Sequence, residues 1–149
     1  MFGRTNKDFI TVKDVPAEAF IKALANHLKS SQKVTPIENA EFIKTGFFKN
    51  ISPNDEDWFY TRTAALARKI YLRPGLGVKN LQHIYGGKNR RTTRGKRHHA
   101  KGSGKVLRYA LNQLLDANIL MRYNDKRNNN YNDNNHKDKN YPKILTPNG

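Results

Sequence analysis

The sequence predicts a mostly helical, winged-helix-like domain with a small β-hairpin wing. Three observations carry that class. Apolar residues recur at helical spacing in several segments, a short glycine-containing turn separates two of them, and two short apolar strands follow the last helix. The 149 residues suit one compact domain, 1–149, with a basic loop at 88–101 and an Asn-rich insertion at 124–142.

Residues 1–13 read as a polar arm with Phe2 and Phe9 as anchors. Asp14 resembles an N-cap, with Pro16 in the first helical turn, where its missing N–H costs nothing. Phe20, Ile21, Leu24 and Leu28 then recur at helical spacing, and this helix ends near Ser30 or Ser31. The next stretch suggests a short helix from Glu38 to Thr45 with Phe42 and Ile43 buried, stopped by Gly46. Phe47, Phe48 and Ile51 continue as an apolar connector.

A long helix is predicted from about Asp55 to Leu72, its start rich in acids that the macrodipole favours. Phe59, Thr63, Leu66 and Ile70 share one face, and Arg62, Lys69 and Arg73 share another. Ala64, Ala65 and Ala67 leave room for a neighbouring helix. Pro74, Gly75 and Gly77 end the helix. Val78 to Tyr85 forms a short second helix, closed by Gly86-Gly87. Lys88 to Lys101 has almost no apolar residue, cannot bury a core, and reads as an extended, mobile loop.

Ser103 caps a helix from Gly104 to Ala117, with Val106, Leu107, Ala110, Leu111, Leu114 and Leu115 as its stripe. Ile119 to Tyr123 and Lys143 to Leu145 read as the strands of the wing. Between them, 124–142 contains 8 Asn in 19 residues and reads as a disordered wing tip. Thr146-Pro147 resembles the start of another helix.

The charge is unevenly placed. The whole chain carries 28 Lys+Arg, 12 Asp+Glu and a formal net charge of +16. Residues 1–57 are neutral overall, whereas 58–115 hold 14 basic residues and no carboxylate. Ordinary solvated faces mix signs, so this segment expects a polyanion. It also argues against catalysis, because acid–base and metal chemistry usually draw on carboxylates, histidines or cysteines. The absence of cysteine excludes disulfides, thiol nucleophiles and thiolate metal sites. No apolar run approaches a membrane span, there is no signal-type segment, and the chain reads as soluble and intracellular.

Tempting motifs fail on spacing. Gly102-Ser103-Gly104-Lys105 has His99 where a nucleotide-binding loop requires glycine, and Val106 where it requires a hydroxyl. Gly75 and Gly77 are followed by Asn80, which breaks the dinucleotide fingerprint. His98-His99 lacks companion ligands and reads as part of a phosphate-contacting loop. No metal or cofactor is expected. Of Trp58, Phe59 and Tyr60, Phe59 is read as core, while Trp58 or Tyr60 is left open as a stacking residue.

The phosphate candidates are Arg62, Lys69 and Arg73 on the long helix and Lys88, Arg90, Arg91, Arg94, Lys96, Arg97 and Lys101 in the loop. Lys105 and Arg108 follow on the next helix. Arginine's planar fork suits bidentate phosphate contacts and stacking.

Asp57-Trp58-Phe59-Tyr60-Thr61-Arg62, Ala67-Arg68 and Tyr71-Leu72-Arg73 together resemble the signature of the eukaryotic-type small-subunit ribosomal protein nineteen family. Val12-Lys13-Asp14-Val15, Ile84-Tyr85-Gly86-Gly87 and Leu145-Thr146-Pro147 with Gly149 extend the match. The resemblance implies a non-enzymatic constituent of the small-subunit head that binds ribosomal RNA and supports maturation of the small-subunit precursor. It implies cytoplasmic ribosomes as the location, with assembly in the nucleus or nucleolus. Its partners would be small-subunit ribosomal RNA and neighbouring head proteins, with no membrane, the protein being a monomer within the ribosome. It adds Arg68 to the RNA-binding residues and marks Trp58, Tyr85, Gly86 and Gly87 as structural or RNA-facing. Arg108 matches the first of a family arginine pair, whose second member is Tyr109 here. The family pattern continues past Thr146-Pro147 into a final helix. The alternative from another class is a winged-helix DNA-binding regulator, for which Val78 to Tyr85 offers only Lys79, Asn80, Gln82 and His83 as base-reading groups.

Overall fold

The computed structural model describes residues 10–89, 98–122 and 143–145, with Arg122 and 143–145 as backbone only. Four helices and two small antiparallel ribbons are present among these residues: α1 (Ala17–Ser30), α2 (Trp58–Leu72), α3 (Val78–Ile84), β1 (Gly87–Lys88), β2 (His99–Ala100), α4 (Gly104–Asp116), β3 (Leu120–Arg122) and β4 (Lys143–Leu145). This is the mostly helical, winged-helix-like domain with a hairpin expected from the sequence. The N-terminal arm, most of the basic loop, the Asn-rich insertion and Thr146-Pro147 lie outside the described residues.

The central helix is α2, which packs against α1 and α4 and lies beside β4. Its predicted apolar face holds: Phe59, Thr63, Leu66 and Ile70 are all buried, and Ala64 and Ala67 are buried beside them. Thr63 is tolerated in the core because its hydroxyl donates to the Phe59 carbonyl at 2.8 Å. α2 starts at Trp58 rather than Asp55. The Asp55 carboxylate accepts the Asp57 N–H at 3.0 Å, fixing a turn that delays the helix.

α4 follows its pattern closely. Val106, Leu107, Ala110, Leu111 and Leu114 are buried, and the Ser103 hydroxyl accepts the Val106 N–H at 3.5 Å at the cap. At α1 the expected cap is replaced. Pro16 occupies the N-cap with no side-chain bond, while Asp14 accepts from the Thr11 N–H (3.0 Å) and hydroxyl (2.7 Å). The short carboxylate has closed a local turn instead of reaching into the helix.

Two sequence expectations fail between α1 and α2. The helix over Glu38–Thr45 shrinks to one 3-10 turn, Ala40–Phe42, because Asn39 is left-handed (φ 55°) and Ile43 is extended. Phe42 is 76 % exposed rather than buried, and Ile51 of the apolar connector is 77 % exposed. Val34 and Ile37 are buried in the core, and Ala40 and Ile43 pack against it half-buried.

The ends of the basic loop are extended, as expected, and are paired with each other. Gly87 pairs with Ala100 and Lys88 with His99, and the Asn89 N–H donates to the His98 carbonyl at 3.0 Å. Backbone pairing thus forms a stem under the loop. The wing itself is present: Leu120, Met121 and Arg122 pair with Leu145, Ile144 and Lys143.

Candidate nucleic-acid interface

The basic segment folds so that α2, α3, the β1–β2 stem and the start of α4 meet. α3 packs on α4. The Gly102 N–H donates to the Gln82 carbonyl at 2.8 Å, and the Ser103 N–H donates to the Thr45 carbonyl at 2.9 Å. Backbone hydrogen bonds therefore tie the start of α4 both to α3 and to the segment before α2.

Arg62 is the fixed cation of this surface. It is half-buried, and its guanidinium carbon lies 4.6 Å from the centre of the Tyr85 ring. An arginine above an aromatic face is attracted by the ring quadrupole. Burial disfavours the charged guanidinium and lowers its pKa, which the neighbouring Tyr85 phenol partly offsets. Burial likewise raises the Tyr85 pKa, and Arg62 opposes the rise.

The glycines after Tyr85 are needed by packing. A Cβ on Gly86 would collide with the Ala100 carbonyl oxygen, and one on Gly87 would fall 2.6 Å from the Phe48 ring. The stem can therefore close against α3 and the Phe48 loop only because both side chains are absent.

Lys69 and Arg73 leave α2 on nearly the same side as Arg62, given the helix's roughly 100° per residue. Lys69 is half-buried and Arg73 exposed at the C-cap. Arg68 leaves the helix about 120° away from Arg62 by the same geometry. Its Nε is buried and has no hydrogen-bond partner among the described residues. Lys88, Lys101, Lys105 and Arg108 are exposed, and a Cβ on Gly104 would approach an Arg108 terminal nitrogen to 3.0 Å. Arg90, Arg91, Arg94, Lys96 and Arg97 lie outside the described residues.

Among the described residues, the ion pair lies elsewhere: Lys29 Nζ to Asp57 Oδ2 at 2.6 Å, at the N-terminal end of α2. The cations from Arg62 to Arg108 have no carboxylate in their own segment to neutralise them. No group of histidines and carboxylates among the described residues could hold a metal ion. The His83 and His99 rings instead lie 4.3 Å apart, tilted at 60°.

Trp58 is a packing residue. It is 6 % exposed, and its indole N–H donates to the Ala40 carbonyl at 3.2 Å, tying α2 to the 3-10 turn. Tyr60 is half-buried, packed in part against the core. Phe48, which meets Gly87 of the stem, and Lys49, over the Phe48 ring, join this surface with no sequence signal beyond neighbouring glycines and cations.

The comparisons fit this arrangement. The family model described as Ribosomal protein S19e matches residues 11–139. The chain belongs to the ribosomal protein S19e family. It is 47% identical over 110 residues to small ribosomal subunit protein eS19 of Oryza sativa subsp. japonica, covering 74% of this chain and 75% of that one. It is 44% identical over 111 residues to small ribosomal subunit protein eS19B of Schizosaccharomyces pombe, covering 74% and 77%. It is 43% identical over 119 residues to small ribosomal subunit protein eS19 of Entamoeba histolytica, covering 80% and 76%. S19e proteins are structural components rather than enzymes.

Proposed function

We propose that this protein is a structural constituent of the head of the small ribosomal subunit. It binds ribosomal RNA and supports maturation of the small-subunit precursor. The observation that carries the reading is the segment 58–115, which holds 14 basic residues and no carboxylate and whose α2, α3, stem and α4 build the surface around Arg62. Such a surface neutralises closely spaced phosphates and lets RNA segments approach one another.

The phosphate-binding residues are Arg62, Arg68, Lys69, Arg73, Lys88, Lys101, Lys105 and Arg108, joined by Arg90, Arg91, Arg94, Lys96 and Arg97 of the loop. The buried, unpartnered Arg68 Nε supports this: a phosphate on the same guanidinium offsets the cost of desolvating it. Tyr85, Gly86 and Gly87 shape the surface. Neighbouring head proteins complete the setting, with one copy of the chain in each cytoplasmic subunit and assembly in the nucleus or nucleolus.

The test is incorporation. Tagged wild-type protein is expected to co-sediment with salt-washed small subunits, and Arg62→Glu or Arg68→Glu is expected to remain in the soluble fraction. Wild-type levels of either variant in the subunit peak would remove these residues from the interface. Escape of the wild type at moderate salt would count against the whole reading.

A further inference from the structure

Beside the basic surface lies an open pocket of about 690 Å³ between the Phe48–Ile51 loop and the β1 strand. Its size is within the roughly 300–1,000 Å³ of small-ligand sites. Phe48 forms one wall. The ring is held by two glycines from separate segments: a Cβ on Gly46 or on Gly87 would each come to 2.6 Å from it. Ile51 forms another wall and is 77 % exposed. Lys49 and Lys88 also line it, with Lys49 Nζ over the Phe48 ring at 5.5 Å from its centre. Asn50 adds an amide, and the lining contains no carboxylate.

We propose that this pocket receives a single unpaired nucleotide extruded from RNA. The proposal rests on the RNA-binding reading above and adds a second, base-contacting site to it. The chemistry of the walls selects this occupant. A flat base displaces the exposed Lys49 side chain from the Phe48 ring and lies there beside Ile51, where stacking is tolerant of base identity. The flanking phosphates meet the Lys49 and Lys88 ammonium groups. The Asn50 amide carries both a donor and an acceptor for a base edge. A duplex presents only stacked, paired bases, so the pocket discriminates for a bulge or loop. An apolar peptide side chain fits the walls but leaves both lysines without an anionic partner.

The experiment uses the full chain and two RNA hairpins that differ by one unpaired adenosine, replaced by 2-aminopurine in the fluorescence arm. Wild-type protein is expected to prefer the bulged hairpin by about 5- to 100-fold at physiological salt and to quench the 2-aminopurine. Phe48→Leu, which keeps an apolar wall but removes the aromatic face, is expected to lose most of that preference. Its affinity for the paired hairpin stays within about twofold, since the phosphate contacts remain. Ile51→Ala, at an exposed position, is expected to reduce the preference without disturbing the fold. Equal binding of the two hairpins by wild type overturns the pocket alone, as does undiminished preference in both variants. Failure to bind either hairpin overturns the RNA reading and the pocket with it. A photo-crosslinking residue in place of Ile51 is expected to join unpaired RNA in assembled subunits. Crosslinks only to protein would overturn the proposal in favour of a peptide occupant.

Discussion

The Arg62 guanidinium stacks 4.6 Å from the centre of the Tyr85 ring, joining the second turn of α2 to the residue that ends α3. The stack holds a charge at a half-buried place and fixes the angle from which it meets a partner. Tyr85→Leu keeps the apolar body and removes the quadrupole. A double-mutant cycle with Arg62→Gln is expected to give a coupling of about 0.5–2 kcal/mol in urea unfolding. Additive losses would mean that the two side chains are neighbours without being partners.

The same pair predicts alkaline behaviour. Burial raises the folded-state pKa of Tyr85 above its usual value near 10, despite the opposing charge of Arg62. Above that usual value the unfolded phenol ionises while the folded one resists, so the folded state binds more protons. Stability from this group is thus complete below about pH 10 and falls as pH rises through the folded pKa. Tyr85→Phe is expected to lose less stability than wild type between neutral pH and pH above about 10, as read by urea midpoints. Parallel curves would show that the phenol is equally solvated in both states.

Gly86 and Gly77 offer a contrast within one short stretch. The Gly86 Cβ position is blocked by the Ala100 carbonyl oxygen and the His99 ring, whereas nothing lies within 4 Å of a Cβ on Gly77. Gly86→Ala must push β2 away from α3 and is expected to cost about 1–3 kcal/mol. Gly77→Ala trades a slightly poorer N-cap for lower unfolded-state entropy, and is expected to stay within about 0.5 kcal/mol. Thermal or urea denaturation of the two variants checks both figures. A Gly86→Ala protein as stable as wild type would show that the stem yields at no cost.

How far the sequence reveals this molecule depends on the range of the interaction. α4 is legible because its stripe and its Ser103 cap are local, and every element of that pattern points the same way. The buried face of α2 is legible for the same reason. The 38–51 stretch is not, since its apolar residues have no clear period and one left-handed residue, Asn39, redirects the chain. Asp14 misleads because a short carboxylate serves a turn as readily as a cap. At the interface, the charge run is visible by counting. The Tyr85 seat for Arg62 and the Phe48 contact of Gly87 are not, because each joins segments far apart in the chain.

If about half of the basic residues in 58–115 touch phosphate, log affinity for structured ribosomal RNA should fall with log salt at a slope of roughly −5 to −6. Removing one exposed cation at the edge of the surface, Arg73→Gln, is expected to make that slope shallower by about 1. Thr63→Val is the control. Thr63 is fully buried, its hydroxyl bonds only to the Phe59 carbonyl among the described residues, and its substitution leaves the surface charge untouched. Its slope should match wild type even if its stability shifts by about 1 kcal/mol. Filter-binding or anisotropy titrations across a salt series decide the matter. A slope near zero would mean that phosphate neutralisation does not drive binding, and equal slopes for Arg73→Gln and wild type would place Arg73 outside the contact.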